Sequence, residues 1–220
     1  MSPDRASPTP EAEPGPIPDS ELMSTPGSQP GAAADSQPES ALDTARELHR
    51  YAMQGDLDAI RKADQAVDLI LAARGDHAEA LAIKGSLLTL RAKLTKSFPK
   101  RLYYSWRAIR ALNRAVEADP DDPAARTIRG FTSLVLPGFL RRLKVAALDF
   151  EYLIRRYQED PSLLPDEMMP KIYLNLGIAY AKEGKRDEAR KTLADVTEKF
   201  PESRESDRAQ SLLARLAKRP

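Results

Sequence analysis

PKIYLNLGIAYAKEGKRDEARKTLADVTEKFP, residues 170–201, is the stretch on which the reading of this chain turns. Tyr173, Leu176 and Tyr180 recur at helical spacing and make one apolar face. Lys182, Glu183, Gly184 and Lys185 then form a polar turn, with a glycine free to take positive φ at a helix C-terminus. A second helical run follows, and Pro201 stops it. Gly177 on the first run and Ala189 on the second are small where two antiparallel helices must approach closely. Such a helix pair cannot bury its apolar ridge alone, so neighbouring pairs must supply the core.

The set Tyr173, Leu176, Gly177, Tyr180, Ala189, Leu193 and Pro201 closely resembles the tetratricopeptide (TPR) repeat pattern. In that pattern W-x2-L-G-x2-Y is followed by A-x3-F and a proline. Only aromatic-for-aromatic and Leu-for-Phe replacements separate the two. The resemblance implies an all-α, right-handed solenoid of antiparallel helix pairs.

Working outward, residues 205–218 read as a closing helix with Ala209, Leu212, Leu213 and Leu216 on one face, a solenoid cap. Upstream, three degraded repeats follow the same register. One pair, 77–96 and 101–118, carries Leu81, Gly85 and Leu88, then Ala108, Leu112 and Ala115, then Pro120. The next, 123–135 and 140–157, carries Gly130, then Ala146, Phe150 and Leu153. The first pair, 41–54 and 57–74, is divided by Gly55-Asp56 and ended by Gly75-Asp76. Relative to the strong repeat, Gly85 to Ala108 is about eleven residues longer and Gly130 to Ala146 about four longer. Apolar residues recur by threes and fours throughout, and no strand alternation competes. Residues 41–220 thus read as one TPR-like repeat domain.

The first forty residues differ. They hold nine of the 18 prolines, and their large apolar residues are Met1, Ile17, Leu22 and Met23 alone. That composition forms no core, so 1–40 reads as a disordered Pro/Ser/Ala-rich arm. Its net charge is −6, which with +1 overall leaves +7 on the remainder: a basic body behind an acidic arm. Cys is absent, which removes disulfides and zinc–thiolate sites. No basic segment followed by an apolar run opens the sequence, and no run reaches the roughly 18 apolar residues of a membrane span. The expected location is cytoplasmic, or periplasmic and envelope-associated if an export signal has been removed.

Chemistry has few footholds. His49 and His77 fall on different pairs and read as ordinary solvated or half-buried histidines. No nucleophile elbow, phosphate loop or H-E-x-x-H occurs. Asp119, Asp121 and Asp122 sit in a turn, where Asp-Pro steps cap and start helices. No enzyme, cofactor or metal is expected.

The turns say more. Those between pairs are acidic, whereas KLTKSFPKRLYYSWR and LVLPGFLRRLK, read as enlarged turns within the second and third pairs, are basic and apolar. Between positions 84 and 114 lie nine basic residues and no acid. Phe98, Tyr103, Tyr104 and Trp106 alternate with Lys96, Lys100, Arg101 and Arg107, and the other segment adds Phe139 beside Arg141 and Arg142. One edge is therefore expected to be positive and aromatic. Three uses fit it: aromatic filling of long turns with a solvated rim, contact with an anionic membrane surface, or phosphate contact with base stacking. The last has least support, since no nucleic-acid motif is present and the acidic arm competes for the same surface.

The TPR resemblance also implies a concave binding face. Carried over, it includes Ser86 and Thr89, then Thr127, Phe131 and Leu134, then Lys171, Leu174 and Ile178, with Asn175 alone at a position comparable to a carboxylate clamp. The row is small and apolar, which argues against a C-terminal carboxylate ligand. It suits another protein's peptide or amphipathic helix, or a lipid or other apolar molecule, unless the capping helix or the arm fills it. The expected function is a non-catalytic interaction scaffold. The alternative is a helical accessory component of a transport system binding a sterol-like or other apolar ligand; small bacterial proteins with degenerate TPRs look similar around LPGFLRRLKVAALDFEYL.

Overall fold

In the computed structural model, residues 36–217 are described, and no strand occurs among them. The arm expected over 1–40 lies, as far as residue 35, outside the described residues. Four antiparallel pairs follow in order: α1 (Ser36–Met53) with α2 (Leu57–Ala73), α3 (Ala78–Leu94) with α4 (Phe98–Ala118), α5 (Pro123–Val135) with α6 (Leu143–Glu159), and α7 (Met169–Glu183) with α8 (Arg186–Lys199). Helix α9 (Arg204–Ala217) closes the stack against α8 and α7. Each helix packs most extensively on its pair partner, and the first helices stack in turn, α1 on α3 and α3 on α5. This is an all-α, TPR-like solenoid with a capping helix, as the sequence implied.

Local chemistry fixes the boundaries. Asp56 caps α2, its Oδ1 accepting from Asp58 N at 2.9 Å and Ala59 N at 3.0 Å. Asp122 caps α5 through Ala125 N at 2.9 Å, so this turn carboxylate has the structural use read from the sequence. His77 stands at the N-cap of α3, accepting from Ala80 N. Gly184 ends α7 with φ of 82°, the left-handed conformation a residue with a Cβ resists.

The packing small residues repeat in register. A Cβ built on Gly177 would stand 2.7 Å from Leu193 Cγ; on Gly85, 2.6 Å from Leu112 Cγ; on Gly130, 2.8 Å from Phe150 Cε1. One glycine in each of three first helices therefore admits the side chain that its pair partner inserts. The degraded repeats keep the geometry of the good one.

Three expectations need correction. Helix α1 opens at Ser36 and not at Ala41. KLTKSFPKRLYYSWR is not an enlarged turn: only 95–97 are non-helical, and α4 begins at Phe98 rather than Arg101. Pro99 occupies the first turn of α4, where its fixed φ suits the helix and its missing N–H has no intrahelical partner to lose. The added length goes mostly into helix, since α4 starts ten residues before Ala108 whereas α8 starts three before Ala189. At about 1.5 Å per residue, that extends α4 by about 10 Å. The second helix of the third pair begins at Leu143, after a short 3-10 turn at Gly138–Leu140, and not near Leu140.

The interior has two main clusters. Ala45, Ala52, Ile60, Val67, Ile83 and Leu87 fill the first, between α1, α2 and α3. Phe150, Leu153, Met169, Ile172, Leu193 and Val196 anchor the second, from α6 through α8, with Ala209 of α9 against it. A smaller cluster of Ala78, Leu81, Ala82, Ala115, Val116 and Ala125, from α3, α4 and α5, shares Leu71 and Ile128 with the first.

Candidate functional site: a concave cleft and its basic edge

Helices α3 and α5, with the end of α1 and the middle of α7, enclose a cleft of about 240 Å³ on the face of the first helices. Ser86, Thr89, Phe131, Leu134 and Asn175 line it, five of the nine residues expected there, together with Met53, Leu90, Lys93, Thr132 and Val135. Its wall is apolar where the Phe131 ring stands edge-on to Phe150, centroids 5.2 Å apart. Thr89 Oγ1 donates to Gly85 O at 3.1 Å, so its hydroxyl hydrogen is already engaged within α3. Asn175 Nδ2 donates to Lys171 O at 2.7 Å, which leaves its Oδ1 as an acceptor at the cleft.

The remaining four do not join this cleft. Leu174 is buried in the C-terminal core beside Ile172, so it supports the wall and does not form it. Thr127 is half-buried, with its Oγ1 enclosed and unpartnered. Lys171 is exposed. Ile178 lies in a different, larger cleft of about 680 Å³, under the capping helix, with Leu193, Leu212, Arg215 and Leu216. The row implied by the repeat register is thus divided between two clefts, and α9, one of the two coverings named for it, folds over its C-terminal part. Met53 and Val135 had no sequence signal as groove residues, since the first pair was not aligned to the concave register and Val135 ends its helix.

Helix α1 is clamped to this face. Arg46 donates to Glu79 through Nε at 2.8 Å and Nη2 at 2.6 Å, and this pair holds the guanidinium well above its ordinary value. His49 Nε2 lies 2.8 Å from Ser86 Oγ. Burial pushes the His49 imidazole below its ordinary value, and the Glu79 charge only partly opposes this. A depressed folded value means stability that is full above the unfolded histidine value, about 6.5, and is lost as pH falls through that range. Acidification from about pH 7.5 to about pH 5.5 should therefore lower Tm, and His49→Gln should flatten that decline. Equal pH slopes for the two proteins in thermal melts would remove His49 from this role.

The cleft opens onto the edge carrying the within-pair turns. A neighbouring hollow of about 310 Å³ is lined by Thr89, Lys93, Arg101, Ser105, Val135 and Leu136, which brings the second and third turns together as expected. Phe98, Tyr103, Trp106 and Phe139 are 64%, 55%, 57% and 63% exposed, so these aromatics do not fill the turns. Tyr104 is half-buried. Lys96, Lys100, Arg101, Arg107 and Arg141 are exposed, whereas Arg142 turns inward: its Nη2 donates to Asn113 Oδ1 at 2.8 Å. Burial and the nearby Arg129 charge lower the Arg142 guanidinium from its ordinary value. Arg107 lies over the Tyr103 ring at 5.5 Å and donates to its hydroxyl at 3.1 Å.

Among the described residues, no group of three or more His, Asp or Glu could hold a metal, and no helix is long and apolar enough to cross a membrane. Residues 152–216, from α6 into α9, match the tetratricopeptide repeat family. The chain therefore carries a tetratricopeptide repeat here, within an all-α, TPR-like helical solenoid. Repeats of this family generally bind other proteins and are typically non-catalytic. No curated protein matches the chain, and no solved structure does.

Proposed function

We propose that this protein is a non-catalytic interaction scaffold that holds an apolar segment of another protein in the cleft between α3 and α5. The observation that carries this reading is the composition of the cleft: an apolar wall of Leu90, Phe131, Leu134 and Val135, bounded by the Asn175 acceptor and the Lys93 cation. Such a wall takes side-chain anchors, and the two polar groups orient a backbone or a polar flank. An amphipathic helix fits that chemistry better than a free carboxylate, which would find one amide and one ammonium and no clamp.

The test is selection of a displayed peptide library on the full chain, followed by affinity measurement of the recovered peptides. Peptides with apolar residues at helical spacing are expected. Asn175→Trp, which fills the cleft, and Val135→Glu should each weaken them at least tenfold, about 1.4 kcal/mol. Peptides that bind both variants as well as the parent would place the binding surface elsewhere.

The transport reading draws on the larger cleft under α9, whose Ile178, Leu193, Leu212 and Leu216 suit a sterol-like or other apolar molecule. Lipid extraction and mass spectrometry of the purified protein separates the two: a stoichiometric bound lipid favours the carrier, its absence the scaffold.

A further inference from the structure

We propose that the edge formed by the α1–α2, α3–α4 and α5–α6 turns seats this protein on the surface of an anionic lipid bilayer. Each of these turns is flanked by two exposed apolar side chains four residues apart: Met53 and Leu57, Leu94 and Phe98, Val135 and Phe139. The fourth pair, turning at Gly184, has no such flank. Of the other large apolar residues exposed among those described, Tyr51 precedes the first turn, Tyr103 and Trp106 follow the second, and only Leu69 and Leu148 lie elsewhere. Met53, Lys93 and Val135 line one cleft, so the three turn ends are neighbours in space. Among the described residues, most of the large apolar side chains that are exposed are therefore gathered along one edge, which scattered surface residues would not produce.

Charge selects the occupant. No acid occurs between Glu79 and Glu117, and across that interval Lys84 and Arg91 pair with acids of α2. Lys93, Lys96, Lys100, Arg101, Arg107 and Arg110 form no ion pair with any of the described residues. Arg141 and Lys144 stand likewise exposed near Phe139 in the chain, without an ion pair among the described residues. The helical extension of α4 carries Phe98 outward by about 10 Å, which lengthens the most cationic of the three turn ends. Convex tips of this kind need no complementary groove when they enter the boundary between head groups and acyl chains, where Trp and Tyr rings sit at the interface and cations meet anionic head groups. Nucleic acid would engage the cations and rings but leave Met53, Leu57, Leu94 and Val135 without a partner.

The full chain should sediment with vesicles of phosphatidylcholine and phosphatidylserine, bind phosphatidylcholine alone weakly, and release as salt rises. Trp106, the sole tryptophan, should shift its emission to the blue on binding. Replacing Lys96, Lys100 and Arg107 together with glutamine should weaken binding about a hundredfold, near fivefold for each cation. Phe98→Ser with Phe139→Ser should abolish the blue shift while leaving Tm unchanged, because both rings are exposed. Lys191→Gln, on the exposed face of α8, should change nothing. Failure to bind the mixed vesicles, or binding that survives loss of both rings, overturns the proposal. So does Trp106 quenching by single-stranded oligonucleotide without a vesicle response, or a self-association that alone accounts for a Trp106 shift.

Discussion

Asp149→Ala is expected to lower folding free energy by about 3–5 kcal/mol, seen as an earlier midpoint in urea denaturation followed by circular dichroism. Asp149 is 0% exposed on the inner face of α6. Its Oδ2 accepts from Arg129 Nε at 2.7 Å, and its Oδ1 accepts from Arg129 Nη2 at 2.6 Å and Arg126 Nη1 at 3.2 Å. Arg142 approaches the same group, so one carboxylate balances a cluster of guanidinium charges between α5 and α6. Removing it leaves those charges enclosed and repelling one another, and that uncompensated charge is the origin of the loss. The cross-check is a triple replacement, Asp149→Leu with Arg126→Met and Arg129→Met. Taking out the pair and both partners together should recover most of the loss, since the cluster as a whole contributes less than its broken half costs. A midpoint for Asp149→Ala equal to the parent's would contradict the buried pairing.

Gly130→Leu should cost about 3 kcal/mol, and even Gly130→Ala should destabilise despite a gain in helix propensity of about 1 kcal/mol. Three atoms of the Phe150 ring stand within 3.2 Å of where a Cβ would go. Phe150 cannot retreat, being fully buried and edge-on to Phe131. Gly138 is the internal control: a Cβ there meets nothing within 4 Å, so Gly138→Ala should move the midpoint by no more than about 0.5 kcal/mol. Equal effects at the two positions would mean that the third pair does not follow the repeat register.

That register was legible because it rests on steric rules that leave marks in sequence. A glycine must face each inserted Leu or Phe, and the pairs Gly85–Leu112, Gly130–Phe150 and Gly177–Leu193 all obey. The insertion was misread because its first residues, Ser97, Phe98 and Pro99, look like a chain break. In fact Pro99 sits where a helix tolerates proline best, and Ser105, Ala108, Ile109 and Leu112 continue one buried face beyond it. About half of the concave row lines a single cleft. Position within a first helix says which way a residue points; the amphipathic face of residues 205–218 marked the capping helix as a cover for the row, but that it lands on Ile178 is set by tertiary packing. The Asp149 cluster was missed for a similar reason: its partners lie 20 and 23 residues away across a turn, and acids and arginines are common on helix surfaces.

The small cluster from α3, α4 and α5 is built largely from alanine, with Leu81 and Val116. Alanine buries little apolar area, so displacing these contacts costs less than displacing the Phe150 or Leu87 surroundings. The junction of α3 and α4 with α5, beside the cleft bounded by Ser86 and Phe131, is therefore held by many small side chains rather than by a few large ones.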